Sequence, residues 1–584
     1  MEFGFWSLVP PVLTIALALI TKNVFISLLI GILTGNLVLN HFAVFTGLNA
    51  GIYSILDTMT ESNTLIIGSV LITAAVIHLG SENITMQLIE YTGLDDIRII
   101  TELRSKVRLG EETFQTRKIS FGTMLQIVEI LKGYRQVMRE YGVKSYILQA
   151  TTAVREAENQ QYFLDQVLVK TGFQIEVVNM SREIYTKMAS LLRTMETHGK
   201  MPLPREGVLL ADISSGGLGL TYVKDREVKF QQNLHVGLVR LKEQFTRNER
   251  SSIHFEQALK EYLQDRIGVV AEELENETIS MLVLTGTESQ VLLDLFGKKR
   301  TRKENVSFTA DEVKAFYHRI HHLKESQLEK LFSLTPEETE VALPAITLCQ
   351  LLMEMSRAQQ ILMPVDRFVD GMKILYIARQ LDQQFLEEML DIQMSLVRNI
   401  GNRFHYDAPH AAWVENMCCV LFDALAPSQG LDQEDKILLR AAAYLHNIGK
   451  YASMRTYDRY NYYLIDSADL LGFSVEQCHT IAQISYLYTL DRPELEGSEP
   501  KDFGSGIPPL VAKLAGILRL ADSLDISGRQ KIRDCKVVIR GNELRVRAKS
   551  RENLALEEWT FSKRGSFFEE VFGLRPVLEK AEEK

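Results

Sequence analysis

The N-terminal region has a hydrophobic pattern unlike that of the remaining chain. Two apolar runs, WSLVPPVLTIALALI and NVFISLLIGILTGNLVL, flank a short polar break at residues 21–23. Each run is long enough, or nearly so, to cross a hydrocarbon core of about 30 Å, so the pattern predicts a transmembrane helical hairpin. Lys22 is the only Lys or Arg between Phe3 and Val76, and it specifies the orientation weakly. A buried helix pair in a soluble core is the alternative.

From about residue 74 the pattern alternates between strands and helices. The runs AAVIHL, KSYILQA, FQIEVV and GVLLADI are short and apolar, whereas SFGTMLQIVEILKGYRQVMREYG and SREIYTKMASLLRTM carry apolar residues at helical spacing. This alternation predicts a mixed sheet that is covered by helices on both faces. Two strand–turn–strand units, with turns at residues 80–81 and 214–217, indicate a duplicated nucleotide-binding lobe.

The two turns carry the first candidate chemistry. Glycine and serine leave backbone N–H groups uncovered, and such groups form a nest for phosphate oxygens. Asp212 precedes the second turn and could hold a metal-bound water near those phosphates. We therefore expect Gly80 and Gly216 to face one crevice, with the N–H groups of residues 215–217 directed towards the ligand.

Composition and charge exclude some classes of function. The chain has 584 residues, of which 46% are hydrophobic and 24% charged, and its formal net charge is −10. An acidic chain is not expected to bind specific nucleic acid, so a polyanionic ligand has to meet a local basic patch. The five cysteines show no CxxC spacing, which predicts reduced thiols of a cytosolic domain rather than a metal cluster.

The N-terminal segment resembles the first helices of NhaC-type sodium/proton antiporters. The stretch FGFWSLVPPVLTIALALITKNVFISLLIGILTGNLVLN carries the resemblance, which ends near Leu71. Transport needs many helices and an ion site at the midplane, and no further run of spanning length follows residue 80. The resemblance therefore implies a membrane anchor rather than a transporter. Because the phosphorylated ligands that the two turns would hold are inside the cell, we expect the soluble domains on the cytoplasmic side.

The rest of the chain, from about residue 73, resembles the Ppx/GppA phosphatases of the actin/Hsp70/sugar-kinase superfamily. The matching stretches, in the family's order, are AAVIHLGSENITMQL, VRLGEETF, ATTAVREAENQQYFL, IEVVNMSREIY, ADISSGGLGLTYV, NLHVGLVRLKEQF and TGTESQVLL. The resemblance implies an α/β fold with two actin/Hsp70-like (ribonuclease H-like) lobes, a mostly α-helical HD-like domain and a small C-terminal β-containing domain. The expected segments are 1–72 (membrane segment), 73–200 and 201–375 (lobes), 376–528 (HD-like domain) and 529–584.

The resemblance also implies site residues, with several departures from the family pattern. The first loop has His78 where the family has an acid, and the second loop keeps Asp212 but has Gly219 in place of an acid. Arg182 and Glu183 compete for the register of the family's general base, so Glu183 is the candidate. The implied phosphate-binding residues are Gly80, Ser81, Arg108, Arg155, Ser214, Ser215, Gly216 and Gly217, with Arg240 as a further family arginine. An ordinary ion pair is the alternative for each arginine.

The expected cofactor is Mg²⁺ or Mn²⁺, held by Asp212. Attack on a phosphoanhydride requires the negative charge of the phosphates to be offset. His78 is a poor ligand for Mg²⁺, which prefers oxygen. These departures favour retained phosphate binding over retained turnover.

The C-terminal half contains a second candidate site. The stretch LLRAAAYLHNIGKY resembles the HD-fold helix, and the metal constellation would comprise His410, His446, position 447 and Asp522. Position 447 is Asn, a weak metal ligand. We therefore expect a degenerate HD site at His410, His446, Asn447 and Asp522, in which His446 is hydrogen-bonded rather than metal-bound. Further on, CKVVIRGNELRVRAK predicts a β-hairpin.

Three functions are compatible with these residues. The first is a phosphoanhydride hydrolase that acts on polyphosphate or guanosine pentaphosphate. The second is a regulatory protein that binds polyphosphate or guanosine tetra/pentaphosphate without turnover, and the third is an anchored scaffold with a vestigial site. The resemblance also implies a homodimer formed through the C-terminal domains. The apolar face of AAWVENMCCVLFDAL could serve that pairing, with burial in the core as its alternative.

Overall fold

The computed structural model describes residues 9–14, 24–39, 72–197, 206–286, 290–297, 305–364, 367–490 and 507–581. The chain divides into two compact units, Met1–Thr73 with Glu90–Arg98, and Ala74–Ile89 with Ile99–Lys584. In the first unit, residues 9–14 and Val24–Leu39 are helical. None of the helices in the described ranges combines the length and the apolar character that a membrane span requires. Much of the predicted hairpin lies outside the described residues, and both the hairpin and its antiporter resemblance stay predictions.

The first lobe is built on a five-stranded sheet. Its strands are β1 (Ile72–Leu79), β2 (Asn83–Tyr91), β3 (Ile97–Lys106), β4 (Ser145–Ala150) and β5 (Glu176–Val177). They lie in the order β3-β2-β1-β4-β5, and β1, β4 and β5 run parallel. The AAVI segment of β1, at residues 74–77, is completely buried, as expected for a central strand that is covered on both faces.

The helices of this lobe alternate with its strands, as the sequence pattern predicts. They are Leu109–Thr116, Phe121–Glu140, Thr152–Arg155, Gln160–Thr171 and Met180–Thr197. The helix Phe121–Glu140 begins after Ser120, whose hydroxyl accepts a hydrogen bond from the N–H of Thr123 and so caps the helix. Its buried side chains pack against β1 and β2 in the core of the lobe.

The second lobe is built on a six-stranded sheet with a related topology. Its strands are β6 (Gly207–Ile213), β7 (Leu218–Lys224), β8 (Glu227–Leu234), β9 (Ile279–Thr285), β10 (Val306–Thr309) and β11 (Gln360–Met363). The order is β10-β11-β9-β6-β7-β8, with β6, β9 and β11 parallel. Without the antiparallel edge strand β10, this is the order of the first sheet again. The repeated order bears out the predicted duplication of the lobe.

Helices cover both faces of the second sheet. Those that follow β8 in this lobe are Leu238–Gln244, Arg247–Arg250, Phe255–Leu274, Gln290–Leu295, Ala310–Ile320, Glu325–Phe332 and Pro336–Ser356. On the opposite face, Ile184 and Met188 of the helix Met180–Thr197 share a core with Val208 and Leu210 of β6. A helix from the end of the first lobe thus lies directly beside the central strand of the second.

A helical domain follows the second lobe. Its helices are Phe368–Leu381, Gln383–Arg403, Ala408–Gln429, Gln433–Leu445, the 3-10 helix Ile448–Tyr451, Tyr457–Asp466, Val475–Thr489 and Pro509–Ser523. The apolar positions of Ala408–Gln429, with Val414 and Phe422 among them, are buried in the core of this domain. That face is therefore not available for pairing, and the homodimer stays a prediction without it.

The C-terminal segment completes the same core with a small sheet. Strands β12 (Asp534–Arg540) and β13 (Glu543–Lys549) pair antiparallel and confirm the predicted hairpin. Strand β14 (Arg575–Ala581), which was not predicted, joins β13 parallel after the helix Ala555–Phe572. One continuous hydrophobic core extends from the helical domain into this sheet.

Candidate functional site

Asp212 lies at the end of a buried central strand. It is the penultimate residue of β6, whose seven residues are all buried, and its register partner on β9 is Thr285. The Thr285 hydroxyl donates to Oδ1 of Asp212 at 2.6 Å. The carboxylate is therefore fixed at the carboxyl end of two parallel strands, which is where open α/β sheets bind their ligands.

Lys187 occupies the space between Asp212 and Glu183. Its Nζ donates to Oδ1 and Oδ2 of Asp212 at 2.7 and 2.9 Å, and to Oε1 of Glu183 at 3.1 Å. The carboxylates of Asp212 and Glu183 therefore take at least two of the three N–H donors of the ammonium. Burial alone would lower the pKa of Lys187, but the charges of Asp212 and Glu183 outweigh it and raise that pKa above its usual range. The lysine is therefore a permanent positive charge.

Glu183 projects from the first turn of the helix Met180–Thr197, four residues before Lys187 and so on the same helix face. Its Oε2 is buried without a hydrogen-bond partner and lies 3.8 Å from a guanidinium nitrogen of Arg155. The neighbouring Arg182 instead pairs with Glu176. Of the two residues that compete for the register of the base, the structure thus places Glu183 near Asp212.

The turn after Asp212 is closed by its own serine. The N–H of Ser214 donates to the carbonyl of Gly217 at 2.9 Å, and the N–H of Gly217 donates to Oγ of Ser214 at 3.1 Å. The expectation that the N–H of Gly217 is directed towards a ligand is therefore wrong. The reason is the serine that replaces a glycine of the family pattern, because its hydroxyl supplies an acceptor within the turn.

Gly216 lies against the first lobe. A Cβ atom at Gly216 would be 2.7 Å from Oε1 of Glu156 and 2.8 Å from Cγ2 of Thr152. Thr151 is the residue before Thr152, and its N–H donates to the carbonyl of Leu79 at 3.3 Å. Leu79 directly precedes the first turn. The two turns therefore meet at one place, which we call the interlobe site and define by Thr152, Arg155, Glu156, Glu183, Lys187, Asp212 and residues 214–217.

The first turn is ordered by backbone hydrogen bonds and lacks a charged side chain at position 78. The N–H of Gly80 donates to the carbonyl of Asn83 at 3.0 Å, and the carbonyl of Ser81 accepts from the N–H of Gly110 at 2.8 Å. Burial, followed by the charges of Lys187 and Arg367, lowers the pKa of His78 to about 3. His78 is thus neutral where the family pattern has a carboxylate.

The arginines implied by the family resemblance have different surroundings. Arg155 donates to a backbone carbonyl at 2.7 Å and to the hydroxyl of Thr152 at 3.0 Å. Arg240 donates to Oε2 of Glu156 at 2.9 Å. The side chain of Arg108 is 75% exposed. Arg155 and Arg240 therefore border the interlobe site, whereas Arg108 lies on the surface.

Two family models match the sequence. Residues 89–364 match the Ppx/GppA phosphatase family, and residues 392–562 match Ppx/GppA phosphatase, domain III. Together the two matches cover well over half of the chain. The chain belongs to the Ppx/GppA phosphatase family. The first match begins at residue 89, after the turn at residues 80–81. It is in and around that turn that the sequence departs from the family pattern.

Similar proteins include guanosine-5'-triphosphate,3'-diphosphate pyrophosphatases. That of Vibrio campbellii is 21% identical over 421 residues, which are 71% of this chain and 80% of the relative. That of Aeromonas hydrophila is 23% identical over 454 residues, with 76% and 86% covered. A solved structure of the Aquifex aeolicus Ppx/GppA family member has a TM-score of 0.46 and 19% identity, and the match covers 53% of this chain and 99% of that one.

The residues that Ppx/GppA members would use for a metal in the interlobe site do not fit Mg²⁺ here. Mg²⁺ needs a near-octahedral set of oxygen ligands at about 2.0–2.1 Å. The ammonium of Lys187 instead bonds both oxygens of Asp212 and one of Glu183. The neutral His78 supplies no second carboxylate. We therefore assign no step of the chemistry to a metal ion.

In domain III, the sequence-predicted residues His410, His446 and Asp522 come together, with candidate ligand atoms within 4.8 Å of one another. Nε2 of His410 is 3.0 Å from Oδ1 of Asp522, and its Nδ1 is 2.8 Å from Oδ2 of Asp525. Burial would lower the pKa of His410, but the hydrogen bonds to Asp522 and Asp525 outweigh it and raise this pKa to about 9. We call these residues, with Asn447, the domain III cluster.

His446 is held by hydrogen bonds on both ring nitrogens. Its Nδ1 lies 2.6 Å from the carbonyl of Ala443, which can only accept, so Nδ1 carries the proton. Its Nε2 then accepts from the amide of Asn447 at 2.8 Å. This geometry supports the expectation that His446 is hydrogen-bonded, because Asn447 engages the lone pair that a metal ion would need.

Sequence reasoning missed Lys187 and Thr285 in the interlobe site, and Arg564 and Asp525 in the domain III cluster. Burial would raise the pKa of Asp522, but the hydrogen bond from His410 and the charge of Arg564, which donates to Oδ2, outweigh it and hold this pKa well below its usual range. One signal was available, the four-residue spacing of Glu183 and Lys187 on one helix. Asp525 follows Asp522 by three residues, whereas Thr285 and Arg564 come from segments distant from their partners and have no local pattern.

Proposed function

We propose that the interlobe site hydrolyses a terminal phosphoanhydride bond of polyphosphate or of guanosine pentaphosphate. The relatives named above, which act as guanosine-5'-triphosphate,3'-diphosphate pyrophosphatases, support the substrate class. The observation that carries the proposal is the environment of Glu183, because one of its oxygens is fixed by Lys187 and the other is buried and free to accept a proton.

The proposed roles follow from this geometry. Oε2 of Glu183 accepts a hydrogen bond from a water molecule and orients it as a general base. The water oxygen forms a bond to the terminal phosphorus while the bridging P–O bond breaks, and the proton passes to Glu183. Arg155, 3.8 Å from Oε2, offsets the negative charge that the phosphoryl group carries. The shortened chain leaves with the bridging oxygen.

Binding without turnover is the second candidate, and Lys187 favours it. The family pattern has acids where this chain has His78 and Gly219, and Lys187 bonds both remaining carboxylates, Asp212 and Glu183. A site with those changes still presents fixed positive charge and ordered turns to a polyphosphate. It would bind such a ligand as a sensor does, without the metal-assisted step.

Phosphate release measured beside direct ligand binding separates these functions. The full chain is assayed with inorganic tripolyphosphate and with guanosine pentaphosphate, in Mg²⁺, in Mn²⁺ and in chelator. Glu183→Gln should lower release by about 10²–10⁴-fold while binding persists. Glu176→Gln is the matched control, because Glu176 pairs with Arg182 outside the interlobe site. Binding without release by the wild-type chain would favour the second candidate over the first.

A further inference from the structure

We infer that Lys187 takes the structural place of the divalent metal ion in the interlobe site, so that this site holds phosphate groups without a metal. The inference rests on the proposed function for its ligand class. The position of Lys187 and its consequence for metal binding stand independently of that function.

The ammonium of Lys187 cannot leave its position without loss of packing or hydrogen bonds. Its side chain is only 14% exposed. The adjacent residues Ile184 and Met188 fix the helix face against Val208 and Leu210 in a core between helix and sheet. At least two of the three N–H donors of the ammonium are bonded, to both oxygens of Asp212 and to Oε1 of Glu183. The ammonium of Lys187 is therefore held in place by the folded structure.

Charge balance connects Lys187 with the change at position 78. The family pattern places acids at the positions of His78, Asp212 and Gly219, and a divalent cation offsets the charge of such carboxylates. This chain keeps Asp212 but has a neutral imidazole at His78, so one loop carboxylate remains. A single ammonium balances that one charge. Either change alone would leave a buried charge uncompensated, which is costly, whereas the two together leave none.

Each remaining acid of the site has its own cation. Glu183 lies between Lys187 and Arg155, with Oε2 3.8 Å from the guanidinium. Glu156, the third carboxylate of the interlobe site, accepts from Arg240 at 2.9 Å, so each of the three carboxylates faces a positive charge. A divalent cation would meet no excess of negative charge at this place, and its approach to Asp212 is blocked by Nζ of Lys187, 2.7 Å from Oδ1.

Binding of Mn²⁺ alone to the full chain tests the inference, with bound and free ion distinguished by electron paramagnetic resonance. The four proteins compared are the wild-type chain, Asp212→Asn, Lys187→Ala and the double variant. We expect the same number of bound ions for the wild type and Asp212→Asn, one more for Lys187→Ala, and loss of that ion in the double variant. Any ion held by the domain III cluster contributes equally to all four and cancels.

A loss of one bound ion on Asp212→Asn would overturn the inference, because Asp212 would then be a metal ligand in the wild type. A folded Lys187→Ala variant that gains no ion would also overturn it. If Lys187→Ala does not fold, the comparison of wild type with Asp212→Asn still decides the question.

Binding of inorganic tripolyphosphate tests the second half of the inference. We expect the wild-type chain to bind it with the same affinity in chelator and in Mg²⁺. Binding that requires Mg²⁺ would contradict the role of Lys187. If the chain binds neither tripolyphosphate nor nucleotide under any condition, the proposed function is wrong. The Mn²⁺ comparison would still test whether Lys187 takes the place of the metal ion.

Discussion

The backbone of Gly216 lies directly against the carboxylate of Glu156, the same carboxylate that accepts a hydrogen bond from Arg240 at 2.9 Å. This contact joins the turn of the second lobe to the first lobe. A side chain at position 216 would enter space that Glu156 and Thr152 already fill. The separation of the lobes at the interlobe site is therefore set by a residue without a Cβ atom.

Gly216→Ala tests this contact. We expect the free energy of unfolding to fall by about 1–3 kcal/mol, because the added methyl displaces the side chains of Glu156 and Thr152 from the contact between the lobes. Gly268→Ala is the matched control, since Gly268 lies inside the helix Phe255–Leu274 with open space around its Cα. The free energy of unfolding of Gly268→Ala should rise by about 0.5–1 kcal/mol, because alanine has a higher helix propensity than glycine. Denaturant unfolding measures both, and equal effects would disprove the close approach.

Removal of the Lys187 charge tests the buried ion pair. Lys187→Met should lower the free energy of unfolding by about 3–5 kcal/mol, because it leaves Asp212 buried without its cation. The double variant Lys187→Met/Asp212→Asn should recover part of that loss, since no charge is then left unpaired. Lys132→Met, which removes an exposed pair with Glu129, should change stability by less than about 1 kcal/mol. A small effect of Lys187→Met, measured by the same unfolding curves, would contradict the assigned pairing.

The duplication of the lobes could be predicted because the strands and turns of each lobe have recognisable local sequence patterns. Buried runs such as GVLLADI, and turns of glycine and serine, mark the strands β1 and β6 and the loops that follow them. The alternation of strand and helix predicts a mixed sheet covered on both faces, but it does not determine the order of the strands in that sheet. The short strand β5 and the parallel strand β14 have weaker local patterns, and their pairing is fixed by contacts with distant strands.

Asp212, Glu183, Arg155 and the turn residues of the interlobe site could be predicted from the sequence, whereas Lys187 and the hydrogen bonding of the site could not. Asp212 and Glu183 were identified, yet the sequence did not show that Lys187 fills the space between them. That contact depends on how the helix Met180–Thr197 lies on β6, which tertiary packing decides. The hydrogen bond by which Ser214 closes its own turn was likewise not visible, because the same residues could bind phosphate with a different backbone conformation.

His78 predicts a dependence of stability on pH. Its folded-state pKa of about 3 lies below the usual value near 6.5, so between those values the unfolded chain binds a proton that the folded chain does not. The stability from neutral His78 is therefore full above about pH 6.5 and is lost as the pH falls towards 3. The groups that face it are Lys187, Arg367, the hydroxyl of Thr151 and the ring of Phe368.

Urea unfolding of the wild type and His78→Gln, measured from about pH 7 to about pH 5, checks this dependence. The difference in unfolding free energy between the two proteins should shrink as the pH falls, because only the wild type loses the contribution of His78. His254→Gln, which removes an exposed histidine, is measured beside it as a control for the substitution itself. A wild-type slope that matches the His78→Gln slope would show that folding does not change the protonation of His78.

Asn447→Asp tests why the domain III cluster holds hydrogen bonds rather than a metal ion. The amide of Asn447 donates to Nε2 of His446 at 2.8 Å, and its buried Oδ1 has no hydrogen-bond partner. A carboxylate cannot donate to that nitrogen, so the substitution frees the lone pair of His446 and adds an anionic ligand beside Asp522. A cavity of about 220 Å³ lined by His410, His446 and Asn447 gives an ion access.

We expect Asn447→Asp to raise the melting temperature in Mn²⁺ relative to chelator, and Asn447→Asp/His446→Gln to abolish that rise. If the melting temperature of Asn447→Asp is the same with and without Mn²⁺, then His410 and Arg564, which both bond Asp522, prevent metal binding rather than Asn447.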